Sequence, residues 1–155
     1  MRFPLTVGVL VACGLAVAAP VPKAKDTAKK DEDAIQGVWK LEKFDIGGAV
    51  PFPPGALQAI HYTFKDGNLG VTHAGQLREK QGTYKLDPTA KLKAIDLTEG
   101  GNGRTTPGIY ELDGDTLKVC LAQGPTPVRP TEFKADGMGV TVVTFKRVAD
   151  EKKDK

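Results

Sequence analysis

Apolar and polar residues alternate along most of this chain with a period of two. In Gly82-Thr83-Tyr84-Lys85-Leu86 the ring and the leucine share one face, and Thr83 and Lys85 share the other. In Thr116-Leu117-Lys118-Val119-Cys120-Leu121 three apolar residues fall on alternate positions, and GVTVVTFKR over 139–147 is rich in β-branched residues. Such alternation is that of strands with one buried face, and β-branched and aromatic side chains suit a pleated surface. Asp66-Gly67, Asp113-Gly114 and Asp136-Gly137 each separate strand-like runs, and Asp-Gly tolerates the positive φ of a type I′ hairpin turn. A single stretch reads as helical, a turn or two over Ala56-Leu57-Gln58-Ala59-Ile60 after Pro53-Pro54-Gly55. The pattern predicts roughly eight or nine short strands, an all-β sandwich or barrel. Hairpin turns without a long crossover favour the antiparallel up-and-down barrel of about eight strands, with at most one short helix.

One phrase recurs: GVWKLE from Gly37, GTYKLD from Gly82 and GIYELD from Gly108. In each copy the glycine, the aromatic and the leucine are in phase and point to one side of the sheet, while the charged residue between ring and leucine faces water. The uneven starting positions exclude a solenoid or propeller, whose units repeat at a fixed period. The phrase reads as a strand opener, with a ring covering one end of the core and a glycine leaving room for a neighbour or a bend. A triplicated binding code is the competing reading.

Barrels of about eight strands are either filled by their own side chains or hold one small ligand, and the sequence leaves both open. The residues expected to line a cavity are Trp39, Phe64, Tyr84, Tyr110, Leu112, Leu117, Val119 and Phe145. Tyr84 and Tyr110 would offer hydroxyls to a mostly apolar ligand, since such sites need few polar groups. Two Pro-rich loops flank this interior. Phe52, Pro53 and Pro54 in one, and Arg129 in the other, form a lid over the mouth or a contact surface for an envelope protein or polymer.

The ends read differently. Residues 1–19 carry one basic residue, an apolar run and small residues at Ala16 to Ala19, the layout of a secretory signal peptide. The run is shorter than the roughly 20 residues of a membrane span. Leu10-Val11-Ala12-Cys13 also looks like a lipobox, so Cys13 is either removed with the leader or acylated, and a membrane partner enters only through that acylation. Residues 20–34 read as a charged, solvated linker, 35–148 as the barrel domain and 149–155 as a disordered charged tail. Cleavage leaves Cys120 as a lone cysteine, expected to pack as a small hydrophobe.

Composition removes several kinds of chemistry. A formal charge of +3 is too balanced for a nucleic-acid partner, and no basic patch is interleaved with aromatics. The chain contains no serine, so a Ser-His-Asp triad is impossible. His61 and His73 flank the Asp66-Gly67 turn, where they would approach one another, yet two ligands make no metal site. The Asp113-x-Asp115 pattern lacks the other ligands of a calcium loop. Gly100-Gly101-Asn102-Gly103 lies between strands and opens no helix, so it is no phosphate loop. Nothing selects a carboxylate pair for glycosidase chemistry. No catalytic residue, metal or cofactor is assigned, and the expectation is a protein that is not an enzyme.

Gly37-Val38-Trp39 on a first strand resembles the lipocalin signature, in which the Trp closes the barrel base under a basic residue of the last strand. Arg147, in phase with Val143 and Phe145, is the candidate partner, through cation–π attraction and planar stacking. More widely, QGVWKLEKFDIGGAVP, GTYKLDPTAKLKAIDLTEG, GIYELDGDTLKVCLA, RPTEF and VTFKR resemble, in wording and order, the lipocalin-like domain of many exported planctomycete proteins. The resemblance covers about 35–148. It implies a lipocalin-like fold and an exported, periplasmic or extracellular location, and it supplies no ligand or catalytic residue. The expected function is carriage of a small, largely apolar molecule, with a solid-cored interaction module as the alternative. Mass spectrometry of the mature N-terminus tests the leader: cleavage near Ala18 or Ala19 removes Cys13, whereas lipidation leaves an acylated Cys13 as the first residue.

Overall fold

A computed structural model describes residues 24–48, 53, 55–77, 81–137 and 139–149. The expected leader with Cys13, most of the charged tail, and Phe52 and Pro54 lie outside the described residues. Nine strands follow one another in the described part: β1 Gly37–Asp45, β2 Ile60–Lys65, β3 Asn68–His73, β4 Gln76–Leu77, β5 Gly82–Asp87, β6 Ala94–Thr98, β7 Thr105–Asp113, β8 Thr116–Ala122 and β9 Val140–Arg147. Eight of them form a closed antiparallel barrel, in which β1 pairs with both β2 and β9 and β3 pairs with both β2 and β5. β4 is a short ribbon folded back on the end of β3. Closure follows from the pattern, because a ring buries every apolar face and leaves no unpaired edge.

Hairpins hold the register. Asp66 and Gly67 both have positive φ, 49° and 79°, as a type I′ turn between β2 and β3 requires. At the β7–β8 turn Asp113 pairs with Thr116, so Gly114 and Asp115 are central. Only Gly114 of the two has positive φ, the arrangement of a type II′ turn. Asp136-Gly137 joins no hairpin; it lies within the long connection from β8 to β9. The β3–β4 turn is made by Ala74 and Gly75, both at positive φ. A 3₁₀ turn at Ala56–Ala59 precedes β2 where a helical turn was expected.

The main departure lies in the segment read as a linker. Ala24–Ile35 is an α-helix, α1, packed across the barrel base. Its sequence, AKDTAKKDEDAI, hides this, because among the side chains described two positions one turn apart, Asp31 and Ile35, are buried in the contact. Ile35 is fully buried and joins the core cluster, and Asp31 is only 6% exposed. Asp31 Oδ2 accepts hydrogen bonds from the Tyr110 hydroxyl at 2.6 Å and from Lys93 Nζ at 2.7 Å. A carboxylate docked in this way leaves no hydrophobic stripe for a periodicity argument to find.

The recurring phrase also acquires its meaning here. In each copy the glycine stands where a neighbour fills the side-chain space. A Cβ on Gly37 would lie 3.1 Å from Arg147 Nη1, and one on Gly108 would lie 2.6 Å from the Cys120 carbonyl oxygen. A Cβ on Gly82 would overlap the Thr98 carbonyl oxygen. The neighbour is thus a guanidinium in the first copy and strand backbone in the other two.

Two measurements probe this arrangement. Ile35→Ala is expected to lower stability by about 2–4 kcal/mol, as for other buried aliphatic truncations, with urea denaturation as the readout. The Tyr110 hydroxyl is held far above the usual phenol range, first by burial and then by its bond to the Asp31 carboxylate. The unfolded chain loses this proton near pH ~10. The folded chain keeps it to higher pH, so the contribution of Tyr110 is complete below that point and is lost above it. The decline is about 1.4 kcal/mol per pH unit. Urea midpoints followed from about pH 9 to about pH 11 should therefore fall more steeply for the native chain than for Tyr110→Phe.

Candidate binding site at the barrel mouth

Trp39 and Arg147 meet at the base. They are direct partners across the β1–β9 ladder, and the Arg147 guanidinium lies over the fully buried indole, 4.1 Å from its centroid. Arg147 Nη1 donates to the Gln36 carbonyl at 2.7 Å, Nη2 to the Ala34 carbonyl at 2.5 Å and Nε to Asp115 Oδ1 at 3.1 Å. Trp39 Nε1 donates to the Ile35 carbonyl at 2.8 Å. The last carbonyls of a helix have no partners within it and carry the negative end of its dipole. A cation and an indole N–H from the first and last strands satisfy them together.

Above this floor the barrel is solid. Trp39, Phe64, Tyr84, Tyr110, Leu117, Val119 and Phe145 form one buried cluster with Ile35, Leu41, Leu69, Ile95 and Val143, and Leu112 is half-buried against it. Phe64 meets Tyr84 edge-on with centroids 5.1 Å apart, and Phe145 meets Tyr62 in the same way at 4.9 Å. These residues come together as expected, but as the packed half of the barrel. None of the eight expected to line a cavity lines the pocket described next. Nor are the two tyrosine hydroxyls directed to a ligand. Tyr110 bonds to Asp31, and Tyr84 accepts a 3.1 Å bond from Gln36 Nε2. Gln36 Oε1 in turn accepts from the Asp66 amide at 2.9 Å, tying the β2–β3 turn to the helix end. Burial is the main reason the Tyr84 phenol also titrates above its usual range.

The other end of the barrel is open. A pocket of about 480 Å³ enters the interior there, walled by Tyr62, Leu69, Val71, Leu97 and Leu121, with Thr106 and Gly82 beside them. Thr98, Glu99, Gly100, Arg104 and Gln123 form its rim. The β6–β7 turn builds much of that rim through local bonds. Glu99 N–H donates to the Arg104 carbonyl at 2.9 Å, Asn102 Nδ2 to Glu99 Oε2 at 2.9 Å, and Arg104 N–H to Asn102 Oδ1 at 2.9 Å. A Cβ on Gly100 would overlap the Gln81 carbonyl oxygen, so this glycine permits β5 and β6 to close together beside the pocket. The Gly-rich run at 100–103 is thus a rim turn. Of the lining, Leu97 and Leu121 are in the inward phase that alternation predicts. Tyr62 is legible as the in-phase neighbour of Phe64, and Thr106 as that of Gly108 and Tyr110. Glu99, Arg104 and Gln123 lie beyond strand ends, where periodicity stops.

The remaining expected residues have other positions. Arg129 is fastened to the barrel wall: Nη1 donates to the carbonyls of Gly108 at 2.6 Å and Ile95 at 3.2 Å, and Nη2 pairs with Asp96 at 2.7 Å. It therefore secures its loop to β6 and β7. Pro53 is exposed. His61 does not approach His73: it pairs with Thr72, while His73 pairs with Ile60, so the two rings point to opposite faces. Cys120 is fully buried with Ile109 and Val142 on the outer face of the sheet, under Phe133 and Ala135 of the β8–β9 connection. Burial raises its thiol pKa, which leaves it poorly suited to nucleophilic work.

Comparison with protein families, with curated proteins and with solved structures finds no match. Replacing Arg147 by Lys keeps the charge but loses the stacked plane and the fork of donors. We expect Arg147→Lys to cost about 2 kcal/mol, the scale of a lost hydrogen bond to a charged group. Urea unfolding followed by fluorescence of Trp39, the one tryptophan, reads both the loss of stability and the altered surroundings of the indole.

Proposed function

We propose that this chain is an exported, non-enzymatic carrier of the lipocalin-like kind, which holds a small and largely apolar molecule in the mouth of its barrel. The observation that carries the reading is the pocket itself. It is walled mainly by aliphatic side chains, opens at one end of the barrel and is floored by the packed core cluster, while α1, Trp39 and Arg147 close the opposite end. Its volume of about 480 Å³ falls in the range of roughly 300–1,000 Å³ usual for small-molecule sites. An apolar cavity that is not filled by side chains loses their dispersion contacts, and an apolar occupant restores them.

Thr106→Phe places a ring in the pocket and leaves the base untouched. Native mass spectrometry of gently purified protein is expected to show added mass of a small molecule on the native chain and none on Thr106→Phe, with stability lowered by no more than about 3 kcal/mol, the upper end of the usual cost of added side-chain volume. A clean unliganded mass for the native chain, with no binding of added apolar probes, would overturn the carrier reading.

A further inference from the structure

The carrier reading leaves the polar end of the cargo open, and the rim bears on it. We infer that the ligand is an amphiphile with an aliphatic body and an anionic head, a carboxylate or a phosphate, and that Arg104 receives the head. The inference rests on the carrier reading and deepens it.

Among the described arginines, charge pairing singles out Arg104. Three other cations among the described residues each meet a carboxylate: Lys93 with Asp31 at 2.7 Å, Arg129 with Asp96 at 2.7 Å and Arg147 with Asp115 at 3.1 Å. Arg104 has no such partner among the described residues, although it lines the pocket. Its guanidinium donates through Nη2 to the Gly124 carbonyl, which uses one of five N–H donors. The nearest acid in its own turn, Glu99, is bonded to Asn102, and Asn102 holds the Arg104 amide at 2.9 Å. The turn thus keeps a guanidinium at the border between an aliphatic wall and solvent, with no carboxylate among the described residues paired to it.

The geometry of the group selects the head. A guanidinium matches carboxylate and phosphate oxygens with parallel N–H donors, and such charge-assisted bonds are about twice as strong as neutral ones. The low-dielectric wall beside the rim strengthens that attraction relative to an open surface pair. Glu99 shares the rim and repels an anion, which directs the head to the Arg104 side. The body is selected by the wall: Leu69, Val71, Leu97 and Leu121 offer aliphatic contact, and Tyr62 is the single ring in the lining among the described residues. A flexible alkyl chain fits this lining better than a flat polycyclic body, which would look for aromatic faces on which to stack.

Isothermal titration of the full chain with decanoate, decyl phosphate, decanol and decyltrimethylammonium tests the assignment. Decanoate or decyl phosphate should bind at least about tenfold more tightly than decanol, the effect of one charge-assisted contact. The ratio between the two anions tells a carboxylate head from a phosphate head. Arg104→Gln should bring both anions to the decanol level without changing decanol, and added salt should narrow the same gap. If decanol or the ammonium probe binds as tightly as the anions, or Arg104→Gln leaves the anions unchanged, the head-group assignment falls while the carrier reading stands. If no probe binds the native chain, both fall. Thr106→Phe separates pocket binding from surface adsorption: it should abolish binding of all the probes, and anion binding that survives it overturns the assignment.

Discussion

A guanidinium laid over an indole joins the parts of this chain that sequence separates most widely. Arg147 ends the last strand, Trp39 opens the first, and the carbonyls of Ala34 and Gln36 belong to the segment before it. Each of these groups alone would be a liability. A buried indole N–H, a cation on a core-facing stripe and orphan helix-end carbonyls all cost free energy when left unpaired. Placed together they satisfy one another. The same contact closes the β1–β9 seam, ends the helix and roofs the core cluster from below. A positive φ at Gly37 turns the chain between helix and strand and leaves room for the guanidinium.

That arrangement gives the barrel a polarity. At the base, polar groups are consumed in structural pairing: Asp31 with Tyr110 and Lys93, Gln36 with Tyr84 and the Asp66 amide. No polar side-chain atom is left buried without a partner among the described residues. The pocket, and the one described arginine without a carboxylate partner among the described residues, are found instead at the mouth. The pocket accordingly lies away from the most conspicuous residues of the sequence, because Trp39 and the two tyrosines are occupied in holding the floor together.

The wall is uneven in the same sense. β3 and β5 share only two residue pairs, against five between β5 and β6, and the pocket borders this seam at Leu69, Val71 and Gly82. Fewer ladder bonds mean a lower free energy for local opening. The base is tied by buried contacts, whereas the β3–β5 side is the more sparsely bonded part of the wall.

Much of this was legible in the sequence and some of it was not. Alternation specified the strands and their inward faces, and hairpin chemistry marked the β2–β3 turn, because both depend on residues that are neighbours in the chain. The pairing of Trp39 with Arg147 followed from a phase argument joined to a resemblance. Helix α1 was hidden, since a charged segment docked through one carboxylate and one isoleucine carries no hydrophobic period. The roles of Tyr84 and Tyr110 were hidden for a related reason: a phenol on an inward face looks the same whether its partner is a ligand or an aspartate from a distant helix. The boundary between solid core and open pocket lay beyond the sequence altogether. It depends on how far the side chains of eight strands reach across a shared interior, a property of the closed ring that no single strand possesses.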